Sequence, residues 1–200
     1  DTLTITASAT FDTGTDGLVI TAKNLVLNGG IYELTGTGKL FIFVENSLEV
    51  KESTVFNEDG NRDRVHFFVK NGSLNVNNYI NAAGNFYIAN GSVLFNTSGS
   101  IIDGNFIVSG DTLKFAGGTK IYGVVHAPNA NTNMSGGSWL TGSLVSKQLT
   151  MVGGSNIVYA PYSINIPSYP GADPTPEPTP EPTPEPTPRS RKRRLTAGSG

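Results

Sequence analysis

Lys39-Leu-Phe-Ile-Phe-Val-Glu-Asn46 is a strand-length apolar run closed by asparagine, and it comes back in altered form along the chain. Later versions are Arg64-Val-His-Phe-Phe-Val-Lys-Asn71, Asn85-Phe-Tyr-Ile-Ala-Asn90 and Asn105-Phe-Ile-Val-Ser109; an earlier one is Gly17-Leu-Val-Ile-Thr-Ala-Lys-Asn24. Self-similarity at a nearly fixed period is the mark of a solenoid, in which each repeat buries its apolar face only against its neighbours.

A second element recurs between these runs. It reads Leu3-Thr-Ile5, Leu25-Val-Leu27, Leu48-Glu-Val50, Leu74-Asn-Val76, Val93-Leu-Phe95, Leu113-Lys-Phe115, Thr132-Asn-Met134 and Leu149-Thr-Met151. The triplets begin 22, 23, 26, 19, 20, 19 and 17 residues apart. Such an interval holds a short strand, a middle strand, a longer strand and their turns, which is one coil of a β-helix. Apolar residues at the first and third positions bury one face. Glycine pairs such as Gly29-Gly30, Gly117-Gly118, Gly136-Gly137 and Gly153-Gly154 supply corners. The closing asparagines Asn24, Asn46, Asn71 and Asn90 suit a ladder of stacked amides at one corner, or plain turns.

The expected fold is all-β: a single right-handed parallel β-helix of about eight coils over residues 1–160. A capping segment (161–172) is expected to fold over the last coil, because its prolines cannot join a sheet and a solenoid end needs covering. The Pro-Thr-Glu repeat (173–188) reads as an extended, disordered spacer, and residues 189–200 as a basic disordered tail. The opening Asp1-Thr-Leu-Thr-Ile reads as the start of a mature or excised fragment, any targeting segment lying upstream.

Composition narrows the function. The 200 residues include 24 glycines and no cysteine, with a formal net charge of −2. Disulfide stabilisation is excluded, and no global positive charge calls for a nucleic-acid partner. No apolar run has the length of a membrane span.

Counting back from the closing residue of each long run separates an interior from an exterior. Positions two, four and six are aliphatic or Phe. Position three reads Thr21, Phe43, Phe68, Tyr87 and Ile107, and position five Val19, Phe41, His66, Asn85 and Asn105. The candidate ligand-binding face is therefore an outer aromatic column of Phe41, Phe43, His66, Phe68 and Tyr87. The competing reading is that this chain covers the column itself, with the loop around 51–63. The loop also places oxygen donors at every second residue, Asn57, Asp59, Asn61 and Asp63, as a calcium loop would. Its glycine is misplaced for a hand-type loop and Arg62 and Arg64 can neutralise the acids, which favours an ordinary turn and no cofactor. Clustered carboxylates and nucleophile motifs are lacking from the coils, so no enzyme is expected.

Ile121-Tyr-Gly-Val-Val-His-Ala-Pro-Asn-Ala-Asn131, Met134-Ser-Gly-Gly-Ser-Trp-Leu-Thr-Gly-Ser-Leu-Val145 and Leu149-Thr-Met-Val-Gly-Gly-Ser-Asn-Ile-Val-Tyr159 resemble the bacterial β-helix domain that follows pilin-like segments in PilX-type pilus-assembly and surface proteins. The resemblance implies an extracellular β-helix on a bacterial cell surface and no catalytic residues. The same stretch is more faintly similar to bactofilins, which polymerise end to end, and the architecture to cellulose-binding surface solenoids. Three functions follow as expectations: a non-catalytic surface or pilus-associated structural and adhesive module, a module binding insoluble polysaccharide through the aromatic column (with Trp139 and Tyr162 as further candidates), and a self-associating scaffold.

Overall fold

The computed structural model describes residues 1–58 and 60–167. Asp59, the end of the expected cap (168–172), the spacer at 173–188 and the basic tail at 189–200 lie outside the described residues. Fifteen strands follow one another: β1 Thr2–Thr6, β2 Ala9–Asp12, β3 Leu18–Thr35, β4 Leu40–Phe56, β5 Val65–Val69, β6 Leu74–Val76, β7 Ile80–Ala83, β8 Asn85–Ile88, β9 Val93–Phe95, β10 Ile101–Asp103, β11 Phe106–Val108, β12 Thr112–Phe115, β13 Lys120–Met134, β14 Trp139–Met151 and β15 Asn156–Tyr159. Among the described residues the only helical piece is a 3₁₀ turn, Arg62–Arg64. None is a helix long and apolar enough to cross a membrane.

Every strand pairing is parallel, and the chain winds as a β-solenoid of about eight turns. Three columns of interior residues define its three faces. On the triplet face the column is Leu3, Leu25, Leu48, Leu74, Val93, Leu113, Thr132, Leu149. The long-strand face stacks Ile20, Ile42, Phe67, Phe86, Phe106, Val125 and Leu144. The third face stacks Ala9, Tyr32, Phe56, Ala82, Ile102, Ile121, Leu140 and Ile157. The aromatic residues of the core line up with their neighbours: Phe67 and Phe86 stack at 4.8 Å, and Phe86 and Phe106 at 4.9 Å. Offset stacking of this kind adds to the stabilisation from area burial alone.

The corner between the third face and the long-strand face decides what the outer wall carries. It is a glycine column, Gly84, Gly104, Gly123 and Gly142. A Cβ on Gly104, Gly123 or Gly142 would run into the carbonyl oxygen of the glycine one turn below. Only hydrogen fits where backbones turn this tightly over one another. Beside the glycines stands the amide ladder, one corner away from the closing asparagines. Asn105 donates its side-chain Nδ2–H (2.9 Å) and its backbone N–H (3.1 Å) to Asn85 Oδ1, and Asn105 Oδ1 accepts the Val124 N–H at 2.8 Å. At the expected corner Asn24 instead pairs with Thr2 and Ser47, and Asn90 donates to the Lys70 carbonyl. Asn85 and Asn105 can turn inward because the glycine beside each removes the side chain that would otherwise fill the corner.

Candidate functional site

The outer wall of the long-strand face follows the register read from the sequence: Thr21, Phe43, Phe68, Tyr87, Ile107 and His126 form one column. Phe43 and Phe68 stack at 4.7 Å with 10° between their planes, and Phe68 and Tyr87 at 4.6 Å and 10°. These three rings are half-buried. They line an apolar groove of about 1100 Å³ that crosses five turns, from Thr21 to Ile107. Its outer flank carries Lys23, Glu45 and Lys70.

The other two expected members of the aromatic face are not on its surface. Phe41 is 4% exposed and His66 0%, so their assignment to the binding face is corrected. Phe41 and His66 stack on each other at 5.3 Å. Two segments lie over this part of the wall. The first is the loop at 57–64, whose Asp63 carbonyl lies 2.9 Å from His66 Nε2. The second is the strap formed by residues 160–167. It leaves the last turn and passes back over the wall: the Ser163 carbonyl accepts from Asn105 Nδ2 (3.4 Å), and the Asn165 carbonyl accepts from the Tyr87 hydroxyl (3.4 Å). The described residues of the expected cap therefore lie against the middle turns. Leu149 and Met151 of the last turn remain 42% and 38% exposed.

His66 sits where these segments meet. Its Nε2 faces a carbonyl and so carries the proton, leaving Nδ1 as an acceptor 3.5 Å from the Tyr87 hydroxyl, whose single proton is shared between it and the Asn165 carbonyl. Burial lowers the His66 pKa below its ordinary value, opposed by the hydrogen bond to Asp63. Burial, and after it the charge of Asp63, push Tyr87 up to about 12. Both groups are held neutral as members of a packed wall.

Of the loop's expected donors, Asp59 lies outside the described residues, and Asn57 and Asn61 are engaged within the fold. Asn57, with φ of +52°, donates from Nδ2 to the carbonyls of Asn61 (3.3 Å) and Ala83 (3.0 Å). Asn61 Oδ1 caps the 3₁₀ turn by accepting the Asp63 N–H at 2.8 Å. Among the described residues no group of three or more His, Cys, Asp or Glu could hold a metal ion.

Two arginines lock the loop, where the sequence offered them only as counter-charges to its acids. Arg64 reaches Thr13 Oγ1 (3.0 Å) and the carbonyls of Gly36 (2.9 Å) and Gly38 (3.0 Å). Arg62 donates from Nη1 to the Tyr122 carbonyl (2.8 Å), pairs through Nη2 with Asp103 Oδ1 (2.8 Å) and lies over the Tyr162 ring, 4.6 Å from its centroid. Asp103 Oδ1 is buried and has no hydrogen bond of good geometry, so the contact with Arg62 is an ion pair. The repeat Gly84-Asn-Phe86 and Gly104-Asn-Phe106 was the available signal for the buried amide ladder.

Fold and wall together define a parallel β-solenoid that carries a half-covered aromatic groove. A family model described as "Domain of unknown function (DUF7305)" matches residues 71–165, from the turn before β6 into the strap. No curated protein and no solved structure matches the chain.

Proposed function

We propose that this protein is a non-catalytic structural and adhesive module of a bacterial cell surface or pilus, attached to other surface components through the groove over Phe43, Phe68 and Tyr87. The observation that carries this reading is the groove itself. It is a continuous apolar strip across five turns, on a wall whose remaining aromatic positions the chain covers with its own loop and strap. Apolar strips of this extent mark interaction surfaces. The titratable groups perturbed by burial, His66, Tyr87 and Tyr32, are all engaged in packing or in hydrogen bonds to backbone carbonyls, which supports a structural role for them. Extracellular display and the pilus association rest on the likeness of residues 121–159.

Ring geometry weighs against the groove as a platform for sugars. A sugar stacks on the face of an aromatic ring, but here the faces of Phe43, Phe68 and Tyr87 lie against each other. Ring edges are left to the groove, and edges suit aliphatic side chains of a protein partner.

The test is fractionation of the native bacterium carrying the tagged chain beside a Phe43→Ser/Phe68→Ser variant. The wild type is expected in the wall or pilus fraction and the variant released from it. A wholly cytoplasmic wild type, or a variant that fractionates unchanged, overturns the proposal.

A further inference from the structure

A different face carries the chemistry that the groove lacks. The outer side of the third face aligns Ala83, Asp103, Tyr122 and Thr141 in one column, and Asn81, Ile101, Lys120 and Trp139 in the next. Where the loop at 57–64 and the strap meet this face they leave a crevice of about 480 Å³. Glu58, Arg62, Asn81, Asp103, Tyr122 and Tyr162 line it.

From this arrangement we infer that the crevice is a binding site for a neutral oligosaccharide, independent of the groove. The polar groups are of the kind that recognises hydroxyls, and they are held in place before any ligand arrives. Asn81 donates from Nδ2 to Glu58 Oε1, which orients the carboxylate and leaves its second oxygen as an acceptor. The Asp103 side chain is 46% exposed although its Oδ1 is buried against Arg62, so its other oxygen is the accessible one. Arg62 is spent on Asp103, the Tyr122 carbonyl and the Tyr162 ring, and acts as the keystone of the crevice. Two carboxylates against one paired guanidinium disfavour anions such as phosphates or uronates. Neutral hydroxyls donate to carboxylates without that penalty.

Aromatic surface continues beyond the crevice. Trp139 is 39% exposed, and its Nε1–H donates to Thr141 Oγ1 at 3.1 Å, so the ring leans toward the column that holds Tyr122. Thr141 and Tyr122 are neighbours on adjacent turns. A saccharide chain leaving the crevice past Tyr122 therefore meets the indole about one strand spacing, roughly 4.8 Å, further on. Unlike the groove rings, Trp139 has no aromatic neighbour on its face among the ring pairs of the described residues. Small polar-and-aromatic crevices that fix orientation with a few placed groups are the usual form of such sites.

The experiment is calorimetric titration of the whole chain with cellohexaose and with chitohexaose, beside Trp139→Ala, Glu58→Ala and Phe68→Ala variants. Circular dichroism of each variant checks that it is folded. Saturable binding of at least one of the two probes is expected. It should weaken at least tenfold, by about 1.4 kcal/mol or more, in Trp139→Ala and Glu58→Ala and stay within about twofold in Phe68→Ala. The inference is overturned by no heat with either probe, or by binding that survives both crevice substitutions. Loss confined to Phe68→Ala would move the sugar to the groove and also overturn it. None of these outcomes bears on the fractionation test, so the two readings fail separately.

Discussion

Gly104 illustrates how much a single position can decide. Its backbone angle is not unusual, but a methyl group there would meet the Gly84 carbonyl head on. Gly99 is the opposite case, with φ of +77° and open space around its missing Cβ. Gly99→Ala should cost only the left-handed strain, about 1–2 kcal/mol. Gly104→Ala must force adjacent turns of backbone away from each other and disturb the Asn85–Asn105 ladder, a loss expected above about 4 kcal/mol or no folded protein at all. Urea unfolding of the two variants checks this; equal losses would refute the close-approach reading. His66 sets a second expectation at this scale. Its folded pKa lies below the ordinary 6.5, because burial disfavours the imidazolium. In the acid range the unfolded chain therefore binds more protons than the folded one. The resulting contribution is complete above about pH 6.5 and is lost as pH falls toward the lowered folded value. Lys39, Asp63 and Tyr87 are the charged or titratable groups that face the ring. His66→Gln keeps an amide donor for the Asp63 carbonyl and cannot titrate. The stability difference between wild type and this variant should move against the wild type between about pH 7.5 and pH 5; a difference independent of pH would show that folding does not lower the His66 pKa.

The strap is the element whose place depends on the fewest contacts. Tyr162 on Arg62, Ser163 on Asn105 and Asn165 on Tyr87 are its polar or aromatic anchors, while Ile164 and Ile166 point into solvent. Arg62→Ala removes the ring contact and the hydrogen bond to Tyr122 and leaves Asp103 unpaired. Protease cleavage within residues 160–167 is expected to quicken several-fold in this variant, while β5 and β8 stay protected. Cleavage no faster than in wild type would mean that the strap is held by other contacts. The same element shows where sequence reasoning stops. The solenoid was legible because each turn repeats the apolar positions of the one before, so the triplets and the inner and outer columns of the long strands could be aligned by counting. The aromatic column was legible for the same reason, and Phe43, Phe68 and Tyr87 stand in the register read from the chain. The burial of Phe41 and His66 was not legible. It depends on segments that repeat nothing and reach far along the chain, as Arg62 does to Tyr122 and Tyr87 to Asn165. A period identifies neighbours one turn apart, whereas a strap obeys no period.

Across the described solenoid, stability passes from turn to turn, so a turn with an unpaired edge is a weak point. At one end β14 is paired by β15 only over Trp139–Gly142, which leaves residues 143–151 as an open edge. Leu149 and Met151 on this edge occupy columns that are buried in most of the turns below, yet they are about two-fifths exposed. At the other end the same triplet column begins with Leu3 on β1. A second copy laid on this edge would continue the column. The joint would be imperfect, because the strap departs at Ala160 and the long-strand face would lack one strand there. A joint that completes the burial of two apolar side chains, each contributing about 1 kcal/mol for its exposed part, supports association that is concentration-dependent rather than permanent. Sedimentation velocity is expected to show the weight-average mass rising with concentration. Leu149→Lys/Met151→Lys should abolish the rise and lower the urea midpoint only modestly, since both side chains are already about two-fifths exposed. A wild type that sediments as a monomer at every concentration would mean that the open edge is not an assembly surface, and association that persists in the double variant would place the contact elsewhere on the molecule.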